Sequence, residues 1–194
     1  KFLEGKDFRR HLEKRFADIE EGLAVTPGAV VIGHIYSDRN NGPSHVPGEC
    51  TRYIISRWQG KAPIFLNPGH SQIGLGIRFW EDSFRQAAVV QMNIWEYKQL
   101  MKTGGRLPSL REVIDWFTER RITAVISMGR FGALGVYGDG KEGLIYGQSL
   151  LPPDRVRDTT GAGDAFAAGL VSALAGKNSF TGDEFRRAIG VAGI

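Results

Sequence analysis

The chain has 194 residues, of which 42% are hydrophobic and 24% charged, as is ordinary for a globular protein with one core. We therefore expect a single domain over residues 1–194. The net charge of +4 is mild and basic residues alternate with acidic ones, which argues against a nucleic-acid partner. No apolar run approaches the ~20 residues that span a bilayer, so we expect no membrane partner. The single cysteine, Cys50, excludes an internal disulfide and fits a reducing, cytoplasmic setting.

Apolar runs bounded by turn residues predict the strands of a sheet. They cover residues 29–36, 63–67, 87–92 and 122–127, and a hairpin of 133–137 with 143–146. Helices are predicted at 7–23, 49–59, 93–102, 109–120, 165–175 and from 181 onward, with a loop at 37–48. The alternation of strands and helices indicates an α/β fold with a mostly parallel sheet.

Several side chains within these elements are assigned a structural role, either in a helix cap or in the core. Ser109 and Glu112 have the spacing of a capping box at the start of the helix 109–120. His34 lies in an apolar strand and is interpreted as a core histidine, and Cys50 as a small buried side chain. Core packing is also the interpretation for the aromatic residues Trp80, Phe84, Trp95, Trp116 and Phe117.

The most informative stretch is a polar, glycine-rich turn that leads into a run of small apolar residues. It contains Asp158, Thr160, Gly161, Ala162, Gly163 and Asp164 in order. Glycines at a helix N-terminus let a phosphate approach backbone N–H groups that have no partner in the helix. A carboxylate beside a phosphate site is electrostatically unfavourable, which suggests that it has a catalytic role. Asp164 is suited to take a proton from an attacking hydroxyl. The alternative is a glycine-rich helix start with an Asp near its cap.

The same stretch resembles, without a gap over residues 158–171, the second signature of the PfkB/ribokinase family of carbohydrate and nucleoside kinases. The resemblance implies a ribokinase-like fold and an ATP-dependent kinase that moves the γ-phosphoryl group to a hydroxyl of a small sugar. It also implies that Asp164 is the general base and that the N–H groups of Gly161, Ala162 and Gly163 form the anion hole. A nucleoside acceptor, or a nucleotide- or sugar-binding module without turnover, remains open, as does ADP instead of ATP as donor.

Asn93-x-x-Glu96 resembles the family's Asn-x-x-Glu element, which is associated with Mg²⁺ through its water shell. Mg²⁺ keeps several waters and takes few direct protein ligands, so an Asn and a Glu on one helix face suit it. The alternative is a capping box, with Asn93 as the cap and Glu96 reaching back to it.

Two further elements complete the predicted site. Residues 127–132 resemble the Thr-Leu-Gly-x-x-Gly stretch that contacts nucleotide phosphates, with Ser and Met replacing Thr and Leu, so Ser127, Gly129 and Gly132 are expected at the nucleotide. Asp158 and Thr160 match positions where many family members hold a monovalent cation such as K⁺. For Asp158 an ordinary turn residue is the alternative.

The chain matches only the C-terminal part of the family pattern. The family's N-terminal region carries a Gly-Gly motif, the main acceptor-binding residues and a small β lid, and none of these is found upstream in this sequence. We therefore expect a partial domain, truncated at both ends and lacking the first strands and the lid. A homodimer is compatible with this pattern, and the acceptor stays unidentified.

Overall fold

The structure is a computed structural model that describes residues 10, 13–14, 17, 27–34, 45–138, 144–147, 156–157, 159, 161–177 and 181–192. Arg10, Glu13, Lys14 and Ala17 are helical, which agrees with the predicted first helix, and the rest of that helix lies outside the described residues. Within the described part, no helix is long and apolar enough to cross a membrane.

One six-stranded sheet organises the described residues. The strands lie side by side in chain order: β1 (Val30–Ile32), β2 (Ile64–Leu66), β3 (Val89–Asn93), β4 (Ala124–Ser127), β5 (Ala133–Val136) and β6 (Leu144–Gly147). The first four strands pair in parallel, whereas β5 and β6 continue the sheet antiparallel. The predicted α/β fold with a mostly parallel sheet is thus confirmed. The two strands of the predicted hairpin are also confirmed, and residues 139–143 between them are outside the described ranges.

Helices cover both faces of this sheet. They are α1 (His45–Trp58), α2 (His70–Ile73), α3 (Ile77–Gln86), α4 (Ile94–Leu100), α5 (Leu110–Glu119), α6 (Ala162–Leu174) and α7 (Gly182–Ala192). The first five helices connect the parallel strands, and α6 and α7 follow the hairpin. The strand side chains alternate between the two faces, so the sheet buries one apolar cluster against each helical layer.

The larger cluster lies under α1 to α5 and is rich in aromatic rings. Trp80 and Phe84 of α3 are fully buried and stack at 6.2 Å between ring centroids, and Phe84 stacks on Phe117 at 6.1 Å. Tyr97 of α4 meets Phe117 edge-on at 5.1 Å. The predicted core role of Trp80, Phe84 and Phe117 is confirmed, and Trp116 is half-buried against the same cluster.

The smaller cluster lies between the sheet and the α6–α7 pair. It joins Phe65, Val89 and Val125 of the sheet to Leu170 and Leu174 of α6 and to further residues of α7. Val31 of β1, which pairs with Phe65 in register, leaves 56% of its surface exposed. Among the described strands β1 is an edge.

Several predictions about local structure are wrong. Helix α1 begins at His45, not at residue 49, because Pro47 falls in the first turn, where its missing N–H is not needed. Helices α2 and α3 were not predicted from the sequence. The signal for α3 was present, since Ile77, Trp80 and Phe84 are spaced three and four apart.

Two side chains assigned to the core are on the surface. His34 follows the end of β1 and is exposed, with its ring against Gly69, so it is not a core histidine. Trp95 leaves 64% of its surface exposed in the first turn of α4, with Lys98 Nζ 5.8 Å from its ring centre. By contrast, Cys50 is buried as predicted, and burial raises the pKa of its thiol to about 11.

The capping box of α5 is confirmed. Ser109 Oγ accepts from the Glu112 N–H at 3.2 Å, and Glu112 Oε2 accepts from the Ser109 N–H at 2.8 Å. Arg106 adds two hydrogen bonds to the same carboxylate. The Arg106 bonds first, and then those of Ser109, lower the pKa of Glu112 to about 2.

This pKa gives a stability prediction. A lowered folded-state pKa means that the contribution of Glu112 is present above the ordinary value of 4.5 and is lost as the pH falls toward about 2. The melting temperature of Glu112→Gln should therefore fall less than that of the parent protein across this pH window. Glu119→Gln, at the other end of α5, is the control. If both variants show the pH dependence of the parent protein, the Glu112 linkage is absent.

Candidate active site

The orientation of α6 decides where its N-terminus lies. At its C-terminal end the Gly176 N–H donates to Gly28 O at 2.5 Å, and Gly28 lies two residues before β1. That end of α6 therefore sits at the edge where the parallel strands begin. A helix of 13 residues spans about 20 Å, so its N-terminus reaches the opposite edge, where the strands end. This is the edge at which open α/β sheets bind ligands.

Helix α6 begins at a glycine for conformational reasons. Gly161 is the N-cap with φ of 76°, in the left-handed region that favours glycine, and a Cβ there would meet no atom within 4 Å. A Cβ on Gly163 would also meet open space. The Ala162 N–H donates to Thr159 O at 3.1 Å, so it would have to leave or share that bond to hold a phosphate. The turn thus offers an open, glycine-lined approach to the positive end of the helix.

Asp164 stands in the first turn of α6 and is exposed. The N-cap Gly161 has no side chain, and Asp164 forms no capping box of the kind that Glu96 and Glu112 form at the same position of their helices. Its carboxylate makes no hydrogen bond or ion pair with the part of the chain that the structure describes. An exposed acid at a helix end that attracts anions is available for chemistry on a bound ligand.

Asn93 ends β3 and is the N-cap of α4. Its Oδ1 accepts from the Glu96 N–H at 2.9 Å, and Glu96 Oε2 accepts from the Asn93 N–H at 2.8 Å, so the capping box exists. These bonds occupy one oxygen of each side chain. The second Glu96 oxygen accepts no hydrogen bond from any residue within the described ranges, so an oxygen donor is left at this edge for a hydrated cation.

A buried tyrosine holds this turn in place. The Tyr97 hydroxyl donates to Val90 O at 2.9 Å and lies 3.3 Å from Val125 O, which ties α4 to both β3 and β4. Burial, and then the nearby Glu96, raise the pKa of Tyr97 well above its ordinary value. Tyr97 therefore remains protonated and keeps its donor role.

The loop after β4 lies beside Asn93. Ser127 pairs with Asn93 in the β3–β4 register and is followed by a short 3₁₀ turn over Gly129–Phe131. Gly129 and Gly132 have φ of 57° and 85°, so both need glycine to make this tight turn. The Met128 N–H closes the loop on Gly132 O at 2.8 Å.

The structure thus brings most of the predicted site to one edge of the sheet. Asn93, Glu96, Ser127 and Gly129 lie at the ends of β3 and β4, and the start of α6 belongs to the same edge. Asp158 and Thr160, the predicted monovalent-cation ligands, lie outside the described residues. In the described ranges no group of His, Cys, Asp and Glu could hold a metal ion by direct ligation.

At this edge one residue was missed in the sequence and another was wrongly assigned to the core. Gln91 is a polar residue in the otherwise apolar run of β3, only 6% exposed, and its Oε1 has no hydrogen-bond partner among the described residues. The only sequence signal was its polarity inside that run. Trp95 stands exposed between Asn93 and Glu96, and no pattern in the sequence distinguished it from a core aromatic.

Solved structures with the same fold are kinases. A nucleoside kinase from Burkholderia thailandensis, in complex with ADP-inosine, matches with a TM-score of 0.58 and 20% identity, over 86% of this chain and 44% of that one. Fructokinase from Vibrio cholerae, with fructose, ADP and calcium, matches with a TM-score of 0.55 and 22% identity, over 75% of this chain and 47% of that one. Aminoimidazole riboside kinase from Salmonella enterica, with its riboside and an ATP analogue, matches with a TM-score of 0.55 and 22% identity, over 76% of this chain and 48% of that one.

This chain therefore has the ribokinase-like fold and spans about half the length of these kinases. No curated protein sequence matches it at a significant level. A family model, described as that of the pfkB family carbohydrate kinases, matches residues 59–193. That match covers most of the chain, so the chain belongs to the pfkB family of carbohydrate kinases.

Proposed function

We propose that this chain carries the phosphoryl-transfer site of an ATP-dependent kinase that acts on a hydroxyl of a small sugar. The observation that supports it most is Asp164, an exposed carboxylate in the first turn of α6 that has no partner among the described residues. It stands at the strand edge that also carries Asn93, Glu96 and Ser127.

The reaction follows from these positions. Asp164 takes the proton of the acceptor hydroxyl while its oxygen forms a bond to the γ-phosphorus, and the bond from that phosphorus to the ADP oxygen breaks. The N–H groups of Gly161, Gly163 and, after leaving Thr159, Ala162 face the charge on the transferred group. Ser127, Gly129 and Gly132 contact the nucleotide phosphates.

Mg²⁺ fits the oxygen donors at this edge. Asn93 and Glu96 would hold it through water, since the free Glu96 oxygen can accept from a metal-bound water. The ion would supply charge neutralisation at the nucleotide phosphates. Asp158 and Thr160 remain the proposed ligands of a monovalent cation such as K⁺, and a cytoplasmic location remains a prediction.

A nucleoside is the alternative acceptor. The Burkholderia nucleoside kinase is matched over 86% of this chain, whereas the fructokinase is matched over 75%. A nucleotide- or sugar-binding module without turnover is the other alternative, and the presence of Asp164 argues against it. The test is release of ADP from ATP by the complete protein with a panel of sugars and nucleosides that includes fructose and inosine. No turnover with any of them would contradict the proposal.

Asp164→Asn keeps the size of the side chain but removes the basic oxygen. General-base catalysis contributes about 10²- to 10⁴-fold, so kcat should fall by that factor while nucleotide binding changes little. Asp183→Asn is the matched control, because Asp183 is also an exposed acid in the first turn of a helix, α7. If Asp164→Asn retains turnover within a few-fold of the parent, Asp164 is not the base.

Glu96→Gln tests the metal role separately from the cap. Glutamine keeps an oxygen that can accept from the Asn93 N–H but removes the charge, so the Mg²⁺ concentration for half-maximal rate should rise several-fold. Glu112→Gln, in the equivalent cap of α5, should leave that concentration unchanged. Unchanged Mg²⁺ dependence in Glu96→Gln, with lowered thermal stability, would assign Glu96 to the cap alone.

A further inference from the structure

Gln91 carries a buried acceptor atom without a donor. The side chain is only 6% exposed, and none of the described residues donates to Oε1. Buried polar atoms in folded proteins nearly always have a partner, because an unpaired one has lost its water without replacement. The partner of this oxygen must therefore come from outside the described residues.

Gln72, at the same edge of the sheet, provides the contrast. It is fully buried, its Oε1 accepts from the Gly69 N–H at 2.6 Å, and its Nε2 donates to Thr51 Oγ1 at 3.2 Å. Its backbone carbonyl also accepts from Trp80 Nε1 at 2.9 Å. Other described residues thus provide hydrogen-bond partners for both side-chain polar atoms of Gln72, whereas none of them donates to Gln91 Oε1.

The register places Gln91 on the face that α6 covers. Gln91 pairs with Val125, which belongs to the cluster under α6 and α7, as does Val89 two residues earlier in β3. Helix α6 contacts β3. Gln91 is two residues from the carboxyl end of its strand, so it lies below the edge that receives the N-terminus of α6.

Toward β1, the residues just after β2 and β1 continue the row of positions at the depth of Gln91. Asn67 follows β2 and donates its N–H to Ile32 O at 2.8 Å, so the ladder extends to the position beside Gln91. Gly33 occupies the next position on β1, and a Cβ there would meet no atom within 4 Å. Burial therefore increases along this row. Gly33 borders open space, the Asn67 amide is half-buried and the Gln91 amide is buried.

The chemistry of a carbonyl oxygen limits what can bind. The fully ionised phosphates of a nucleotide offer only acceptors, so they do not satisfy Gln91 Oε1. No carboxylate is beside it on the neighbouring strands, and a lone amide oxygen is a poor cation ligand. A hydroxyl group, which donates one hydrogen bond, has the complementary chemistry.

We propose that Gln91 is a specificity-determining residue whose side-chain oxygen accepts a hydrogen bond from a non-reacting hydroxyl of the phosphoryl acceptor. This inference rests on the proposed kinase function and adds that a second hydroxyl of the acceptor is held on the α6 face of the edge between Gly33 and Gln91. A buried acceptor that only the correct hydroxyl satisfies rejects analogues that lack it.

The test is Gln91→Leu in the complete protein, with Gln72→Leu as the matched control. The acceptor KM of Gln91→Leu should rise about tenfold or more, since one buried hydrogen bond is lost, while the ATP KM stays within about twofold. Its melting temperature should not fall, because the variant removes an unpaired buried atom. Gln72→Leu should melt several degrees lower.

Three results would overturn the proposal. They are an unchanged acceptor KM, a rise confined to the ATP KM, or a melting temperature that falls as in Gln72→Leu, which would mean that Oε1 is already bonded. If the parent protein turns over no acceptor, the proposed function fails, and melting shifts with fructose and inosine test Gln91. Stabilisation of the parent by either probe that Gln91→Leu loses supports the proposal, and no stabilisation of the parent overturns it.

Discussion

The packing of α6 across the sheet is the constraint on which the rest of the structure depends. Leu170 and Leu174 bury themselves against Phe65 and Val89, and the Gly176–Gly28 hydrogen bond fixes the far end of the helix beside the start of β1. Together they direct the N-terminus of α6 toward the edge where the parallel strands end. Without this placement, the glycines and the acid of the first turn would have no relation to the ends of β3 and β4.

Function at this edge uses groups that also serve the fold. Asn93 and Glu96 cap α4 with the same two hydrogen bonds that Ser109 and Glu112 form at α5. At α4 the cap uses one carboxylate oxygen of Glu96 and thereby fixes the direction of the other. The start of the helix thus holds an oxygen donor in a defined position. Asp164 differs, because α6 is capped by Gly161 and needs no side chain for it.

The sequence was sufficient for the architecture because its signals are local. Apolar runs predicted each strand of the described residues, and the spacing of Ser109 and Glu112 predicted a cap that the structure contains. Burial was harder to predict, because it depends on what packs from elsewhere. His34 lies in an apolar run of the sequence but is exposed just after β1, and Trp95 is exposed in the first turn of α4. By contrast, Gln91 is polar and buried because α6 covers its face of the sheet. The order of the strands and the direction of α6 belong to the tertiary structure. Local sequence patterns do not specify them, so they could not predict the burial of these residues.

The central claim is that the start of α6 binds the transferring phosphoryl group and that Asp164 faces the acceptor hydroxyl. The most direct measurement is a crystal structure of the complete protein with Mg²⁺, a non-hydrolysable ATP analogue and the acceptor. The account predicts the γ-phosphate within hydrogen-bond distance of the Gly161 and Gly163 N–H groups, with the acceptor hydroxyl on an Asp164 oxygen. A γ-phosphate bound away from the start of α6, or an Asp164 carboxylate that contacts neither ligand, would contradict it.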